Sequence, residues 1–324
     1  MDWSARLDEL TTGYRPAAMI MAAVRTGLFD ALADGPRTPA QAAAARGLDP
    51  RAVDILLHGL AALGVVHKRQ DAFALDEGAA PLLLSGSPQT QASIIGHNLT
   101  MMRAWAQLDT VLVAGAPAPR PERSEQELRD FILGMENVSR RSSAEVAERI
   151  DLAGTSRLLD LGGGPGTAAL VFARRWPQLR CVVFDLPGPL AIAREQIAKE
   201  GLEDRVATRA GDFHTDPVGT GYDVVYVSNI IHQMGDAQTL ALLRVCAAAL
   251  VPGGRLLLKD FFLEDDRINP PAAALFSVNM LAGTDRGKAY TRREAEDLLR
   301  QAGFGPAAVV PVARHSQVLD ARLA

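Results

Sequence analysis

From residue 156 onward, apolar runs alternate with amphipathic stretches. RLLDLG (157–162) reads as a strand and TAALVFARRW (167–176) as a helix. RCVVFDL (180–186) and PLAIAREQIAKEGL (189–202) repeat the pair. RVATRAGD (205–212) and YDVVYVSN (222–229) add two strands, then DAQTLALLRVCAAAL (236–250) a helix and RLLLKDFFL (255–263) a strand. Near-continuous apolar strands separated by helices predict a parallel sheet covered on both faces. Ligands of such sheets bind outside the carboxyl ends of the strands, where the strand order reverses.

The first 95 residues follow another pattern. Apolar positions recur at helical spacing from Leu7 to Leu32. Thr38-Pro39 and Asp49-Pro50 each offer a capping residue followed by proline, which predicts two further helices, the first stopped by Gly47 and the second running to Leu63. GVVHKRQDAFALDE (64–77) predicts a hairpin. Helix, turn, helix and hairpin make a winged helix-turn-helix. The second helix offers Arg51, Asp54 and His58 as its main polar groups, a poor clamp for phosphates. The apolar faces of Leu10 to Leu32 fit self-association better. Residues 91–150 read as helical, interrupted by the proline-rich AGAPAPRPERSEQ (114–126), a surface loop. FILGMENVSRRSSAEVAERID (131–151) reads as one helix feeding the second domain.

The 324 residues favour about two domains. A hydrophobic content of 48%, 22% charged residues and a net charge of −4 fit a soluble globular protein and speak against a nucleic-acid surface, which needs concentrated Lys and Arg. Two cysteines, Cys181 and Cys246, lie in apolar runs; they suit a cytoplasmic location and form no metal-binding spacing. No signal peptide and no apolar run of about 20 residues is visible, so no membrane partner is expected.

Three features stand at the ends of successive strands. DLGGGPGT (160–167) closes the first and opens a helix, with glycines spaced G-x-G-x-G instead of the G-x-G-x-x-G of nicotinamide-binding loops. Asp185 ends the second, where a carboxylate can take both hydroxyls of a ribose. Asp212 ends the third; it can accept from the exocyclic amine of adenine, with Phe213 beside the ring. Each alone is a weak signal, since a glycine turn or a helix cap has the same composition; the three together predict a nucleoside site. YVSNIIHQMGD (226–236) then ends an apolar strand in a lone histidine, His232.

With VFDLP, AGDF, SNIIH, LVPGGRLLLKD and GKAYTRREAEDLLRQAGF, the chain resembles, over nearly its whole length, the S-adenosylmethionine-dependent O-methyltransferases of the caffeate and acetylserotonin type and their bacterial relatives. The resemblance implies a Rossmann-like class I methyltransferase domain with a mostly parallel seven-stranded sheet, preceded by an all-α, winged-helix domain that serves homodimerisation. The divisions expected are 1–95 for dimerisation, 96–150 for a helical linker contributing to the substrate pocket, and 151–324 for catalysis. By the resemblance, Gly162 and Gly164 approach the methionine part of the cofactor, S-adenosylmethionine. Asp185 holds its ribose, Asp212 and Phe213 hold its adenine, and Leu186 packs on the adenine face. Ser228 stands where plant members have a lysine near the cofactor.

Methyl transfer to a hydroxyl needs the oxygen aligned and its proton removed. A phenol has a pKa of about 10, by analogy with Tyr, while an unperturbed His, at about 6.5, is mostly neutral at pH 7 and suits a general base. The resemblance puts that base at His232. Of two acids that usually flank it, one falls on Asp260, a carbon shorter than the common Glu, and the other on Ala289, where it is missing. Gln233-Met234 replaces the plants' Asp-Trp. The acceptor, a small and aromatic hydroxylated metabolite, is expected against Phe131, Met135, Phe276, Asn279, Met280 and Thr284, of which the resemblance favours Met280. No metal is expected, since no cluster of acids gathers at the strand ends. Transfer to carbon or nitrogen, a non-methylating reaction on the same scaffold, and a ligand-responsive winged-helix regulator are the alternatives.

Overall fold

The computed structural model of the protein describes residues 1–119, 125–312 and 316–324. The chain divides into two compact units, Met1–Met102 and Arg103–Ala324. Residues 120–124 of the proline-rich stretch lie outside the described residues.

In the first unit, helices α1 (Trp3–Thr12), α2 (Tyr14–Arg25), α3 (Pro39–Arg46) and α4 (Pro50–Ala62) precede a hairpin of β1 (Val66–Arg69) and β2 (Ala72–Leu75) and a single helical turn, α5 (Ala80–Leu83). The hairpin is antiparallel, with Val66 opposite Leu75 and Lys68 opposite Phe73. The caps act as their residue types predict. Thr38 and Gln41 exchange hydrogen bonds between side chain and backbone, and Asp49 accepts from Ala52 N at 2.8 Å. Gly47, at φ +64°, closes α3 in the left-handed conformation that favours glycine. The apolar stretch 7–32 is broken into α1, α2 and a 3-10 turn at Asp30–Leu32, because Gly27 turns the chain at φ +68°. Leu28, Phe29, Leu32, Val53, Leu57, Leu60, Val66 and Phe73 form the core. Helix α1 buries no residue in it, and Trp3, Leu7, Leu10 and Tyr14 are each more than half exposed.

Helix α6 (Ala92–Trp105) leads into the second unit, followed by α7 (Leu108–Ala114) and the long α8 (Glu125–Arg149). Then come β3 (Arg157–Leu161), α9 (Thr167–Arg175), β4 (Arg180–Asp185), α10 (Pro187–Lys199), β5 (Val206–Ala210) and β6 (Tyr222–Ser228). The remainder is α11 (Asp236–Ala249), β7 (Leu250–Asp260), α12 (Pro271–Gly283), α13 (Arg292–Gln301), β8 (Ala308–Pro311) and β9 (Gln317–Arg322). The seven strands run in the order β5-β4-β3-β6-β7-β9-β8. Neighbours are parallel from β5 to β7; β9 is antiparallel to both β7 and β8.

Alternate residues of each central strand enter two separate cores, as period-2 geometry requires. Leu158, Val183, Val224, Tyr226 and Leu257 pack with Val146, Phe172, Leu190 and Ile197 of α8, α9 and α10, and with Ile150 just past α8. Leu159, Phe184, Val225, Val227, Leu256 and Leu258 pack with Leu242, Leu243, Cys246, Leu298 and Leu299 of α11 and α13. Burial on both faces is why these strands read as unbroken apolar runs. The order reverses at β3, with β4 on one side and β6 on the other, so the carboxyl end of β3 lies at the switch point.

Candidate active site

The glycine loop follows β3 into α9. Gly162, Gly164 and Gly166 hold φ values of +69°, +55° and +75°, which other residues rarely adopt. The loop also lacks room. A Cβ on Gly162 would fall 2.7 Å from Ile230 Cδ1, and one on Gly163 2.6 Å from the Asp160 carboxyl carbon. On Gly164 a Cβ would meet nothing within 4 Å, so that position is open on its outer side.

The same loop collects the neighbouring strand ends. Asp185, the last residue of β4, accepts from Gly164 N and from Leu186 N, both at 2.7 Å. Burial holds its carboxyl above the usual range, and the two N–H donors oppose the rise. Phe213, after β5, approaches the Gly162 Cβ direction at 3.9 Å. Leu186 starts α10 with its side chain 52% exposed, an apolar platform beside Asp185. Asp212 is half-buried; its Oδ1 accepts from His214 N at 2.9 Å, and its own N–H donates to Asp216. The donor set therefore fits a nucleoside: an acceptor carboxylate for a diol, an open glycine backbone, and apolar side chains at one rim.

His232 lies in a 3-10 turn, Ile231–Gln233, just past β6. It is 7% exposed, and its Nδ1 stands 2.7 Å from Asp260 Oδ1 at the end of β7. The Asp260 carboxylate also accepts from the backbone N–H of Phe261 at 2.8 Å and of His232 at 3.4 Å. An ionised carboxylate only accepts, so Nδ1 carries the proton and Nε2 keeps its lone pair. Gly287 fits tightly against this turn, since a Cβ there would lie 2.4 Å from the His232 carbonyl oxygen.

Helix α12 supplies the neighbouring wall. Phe276 meets the His232 ring edge-on at 4.8 Å between centroids. Asn279 and Met280 follow one turn later, and Asn279 Oδ1 accepts from the indole N–H of Trp105 at 2.7 Å. Thr284 stands at the end of the same helix. Its hydroxyl donates to Met280 O at 2.7 Å and accepts from Gly287 N at 2.8 Å, so it caps the helix end. Ala289, where the second acid is missing, is buried with Leu263 and Ala273 and packs near Phe276. Phe131 and Met135 are half-buried on α8, which packs on α9 and α10 and thus covers the glycine-loop side of the sheet. Among the described residues no group of three His, Cys, Asp or Glu side chains could hold a metal ion, and no helix is long and apolar enough to cross a membrane.

Three polar residues here escaped the sequence reading. Asp160, 2% exposed, accepts from Ala169 N at 3.3 Å. Burial raises its carboxyl to about 7; that hydrogen bond opposes the rise and the Asp185 charge adds to it. Lys259, 1% exposed, stands opposite Ser228 in the β6–β7 register and donates to Asn229 Oδ1 at 3.2 Å. Burial lowers its ammonium to about 8, with the Asp260 charge acting the other way. Asn229 takes the left-handed φ of +59° to reach it. Acid and lysine within the apolar runs LLDLG and LLLKD were the available signals.

The fold and site define a Rossmann-like transferase with a nucleoside-cofactor loop beside a buried histidine–aspartate pair. Residues 115–305 match the family model described as O-methyltransferase domain, and residues 8–83 the one described as O-methyltransferase dimerisation domain. The chain belongs to the S-adenosylmethionine-dependent O-methyltransferase family. It is 34% identical to 3-hydroxy-5-methyl-1-naphthoate 3-O-methyltransferase of Streptomyces sahachiroi, over 92% of this chain and 88% of that one. It is 30% identical to L-tyrosine C(3)-methyltransferase of Streptomyces lavendulae, over 88% and 82%. Human N-acetylserotonin methyltransferase, solved in complex with S-adenosylmethionine, superimposes with a TM-score of 0.89 at 25% identity, covering 99% of this chain and 98% of the other.

A buried acid with a raised pKa stabilises the fold only while protonated. The contribution of Asp160 is fully present below about pH 4, and it is lost as pH rises through about 7. Asp160→Asn, which keeps an acceptor for Ala169 N without a charge, should remove this loss. In urea unfolding, the variant's gain on the wild type should be larger at pH 8 than at pH 5 by about 3 kcal/mol. An unchanged difference between the two pH values would show that Asp160 is ionised throughout.

Proposed function

We propose that this chain transfers a methyl group from S-adenosylmethionine to a hydroxyl of a small aromatic secondary metabolite, in the cytoplasm, with His232 as general base and the first unit joining two copies. The observation that supports it most is the 2.7 Å bond from His232 Nδ1 to Asp260, which leaves Nε2 as a proton acceptor. Asp185 would hold the ribose, Asp212 and Phe213 the adenine, and Leu186 the adenine face. Gly162, Gly164 and Ser228 would lie along the methionine part. When bound, the cofactor supplies a methyl carbon on a positively charged sulfur.

The rest is the work of the protein's own side chains. Holding the acceptor oxygen in line with that carbon can supply about 7–11 kcal/mol. Nε2 takes the hydroxyl proton as the oxygen forms its new bond. The imidazolium so formed stays paired with the Asp260 carboxylate, then loses its proton to water when the product leaves. Phe131, Met135, Phe276 and Met280 would pack on a planar acceptor, with Asn279 as the polar contact and Thr284 holding the end of α12. The likeness to a tyrosine C-methyltransferase favours one second reading: deprotonating a phenol also enriches its ring carbons, so the same pair serves transfer to carbon. Mass and position of the added methyl separate the two.

His232→Ala should lower the single-turnover methylation rate by about 10²–10⁴ while leaving cofactor affinity intact. A variant that keeps the wild-type rate would remove the base assignment. Asp185→Ala should weaken S-adenosylhomocysteine binding about 10- to 100-fold by calorimetry, since two charge-assisted hydrogen bonds are at stake; unchanged affinity would unseat the ribose role. The apolar face of α1 motivates a third measurement. The full chain should sediment as a dimer at micromolar concentration, and Leu10→Glu with Tyr14→Glu should shift it to monomer. A wild-type monomer would count against the dimer.

A further inference from the structure

Asn279 can present either of two opposite chemistries. Its amide has an accepting oxygen at one end and a donating NH2 at the other, nearly the same in shape. The neighbour that chooses between them is Trp105, the last residue of α6, whose indole Nε1 stands 2.7 Å from the Asn279 amide. An indole N–H only donates. The atom facing it must therefore be Oδ1, and the NH2 must face away. Turning the amide over would set two donors against each other. Both residues are half-buried, and among the described residues Nδ2 has no hydrogen-bond partner.

Asn279 shares a helix face with the side chain that meets His232. Phe276 lies three positions earlier on α12, one turn along the same face. Its ring is the one that meets His232 edge-on at 4.8 Å. A flat acceptor whose hydroxyl reaches His232 Nε2 would lie along Phe276 and end near the Asn279 NH2. A donor at that place favours an oxygen with lone pairs, and does nothing for a hydrocarbon edge.

We propose that Trp105 is a positioning residue that fixes the Asn279 NH2 toward the acceptor, so that the enzyme prefers hydroxyarenes carrying a second group with a hydrogen-bond-accepting oxygen, a carbonyl or carboxylate. This rests on the proposed function and names its substrate class.

The test compares the three hydroxyacetophenone isomers with the three ethylphenols, pairs that differ by a carbonyl oxygen. Binding is measured by calorimetry on the full chain with S-adenosylhomocysteine bound, so that no proton transfer is needed. The wild type should bind the best hydroxyacetophenone roughly 3- to 10-fold more tightly than its ethylphenol, the range of one ordinary hydrogen bond. Asn279→Asp, which has no donor when ionised, should abolish or reverse that ratio. Trp105→Phe keeps the ring and loses the N–H; its ratio should fall to within about 2-fold while its affinity for S-adenosylhomocysteine stays unchanged. A structural role alone would weaken both members of each pair equally and leave the ratio in place. Equal binding of the pairs by the wild type, or a ratio unmoved in either variant, overturns the proposal. Equal binding accompanied by His232-dependent methylation of any phenol would sink this inference and leave the proposed function standing.

Discussion

A side chain on Gly162 would collide with Ile230, and one on Gly163 would collide with both Asp160 and Val183. These contacts tie the end of β3 to β4 on one side and to the segment leaving β6 on the other. Asp185 completes the junction by binding Gly164 N. Close approach of backbone at the switch point thus sets the spacing between Asp185 and the turn that carries His232. Ile230 is two residues from His232, so the glycine loop also fixes where that turn begins.

Around that junction the protein buries ionisable groups that a purely structural core would avoid. Asp160 and Lys259 are nearly inaccessible, with their carboxyl and ammonium displaced in opposite senses by the same cause, burial. Each has one hydrogen-bonded partner of its own, Ala169 N and Asn229 Oδ1. The His232–Asp260 pair is buried at the same edge, joined by a 2.7 Å hydrogen bond. Breaking a buried pair leaves a charge without compensation, which costs about 3–5 kcal/mol. Displaced titrations of this kind gather at functional sites more than elsewhere. Their grouping at the carboxyl edge of one sheet agrees with the family membership, and neither observation depends on the other.

Much of this was legible in the chain. Alternating apolar runs gave β3 to β7 and their helices because both sheet faces are buried, which writes the strands as continuous stretches. Thr38, Asp49 and Gly47 marked helix ends because capping is local chemistry. The last two strands were harder to locate: β8 is short, half exposed and ends in Pro311, and the antiparallel β9 mixes Gln317 and Asp320 into its apolar positions. Asp160 and Lys259 were visible as charges in apolar runs, yet burial of a charge is a property of the packed sheet. Thr284 shows a role of another kind. A hydroxyl near a pocket in sequence is engaged in space by its own helix end, and only the position of Gly287 reveals it.

The histidine's surroundings decide how the proposed base works. A second carboxylate beside the ring would give a proton taken at Nε2 two charged partners. Here that side carries Ala289 and the edge of Phe276, so a proton taken at Nε2 is balanced by Asp260 alone. Asp260 in turn accepts from the backbone N–H groups of Phe261 and His232. The carboxylate thus faces Nδ1 as an acceptor, and Phe276 meets the ring edge-on. With Ala289 on the remaining side, the ring has Asp260 as its carboxylate partner. That suits an acceptor whose hydroxyl is already acidic, and an electron-withdrawing carbonyl on the same arene, held by Asn279, would make it so.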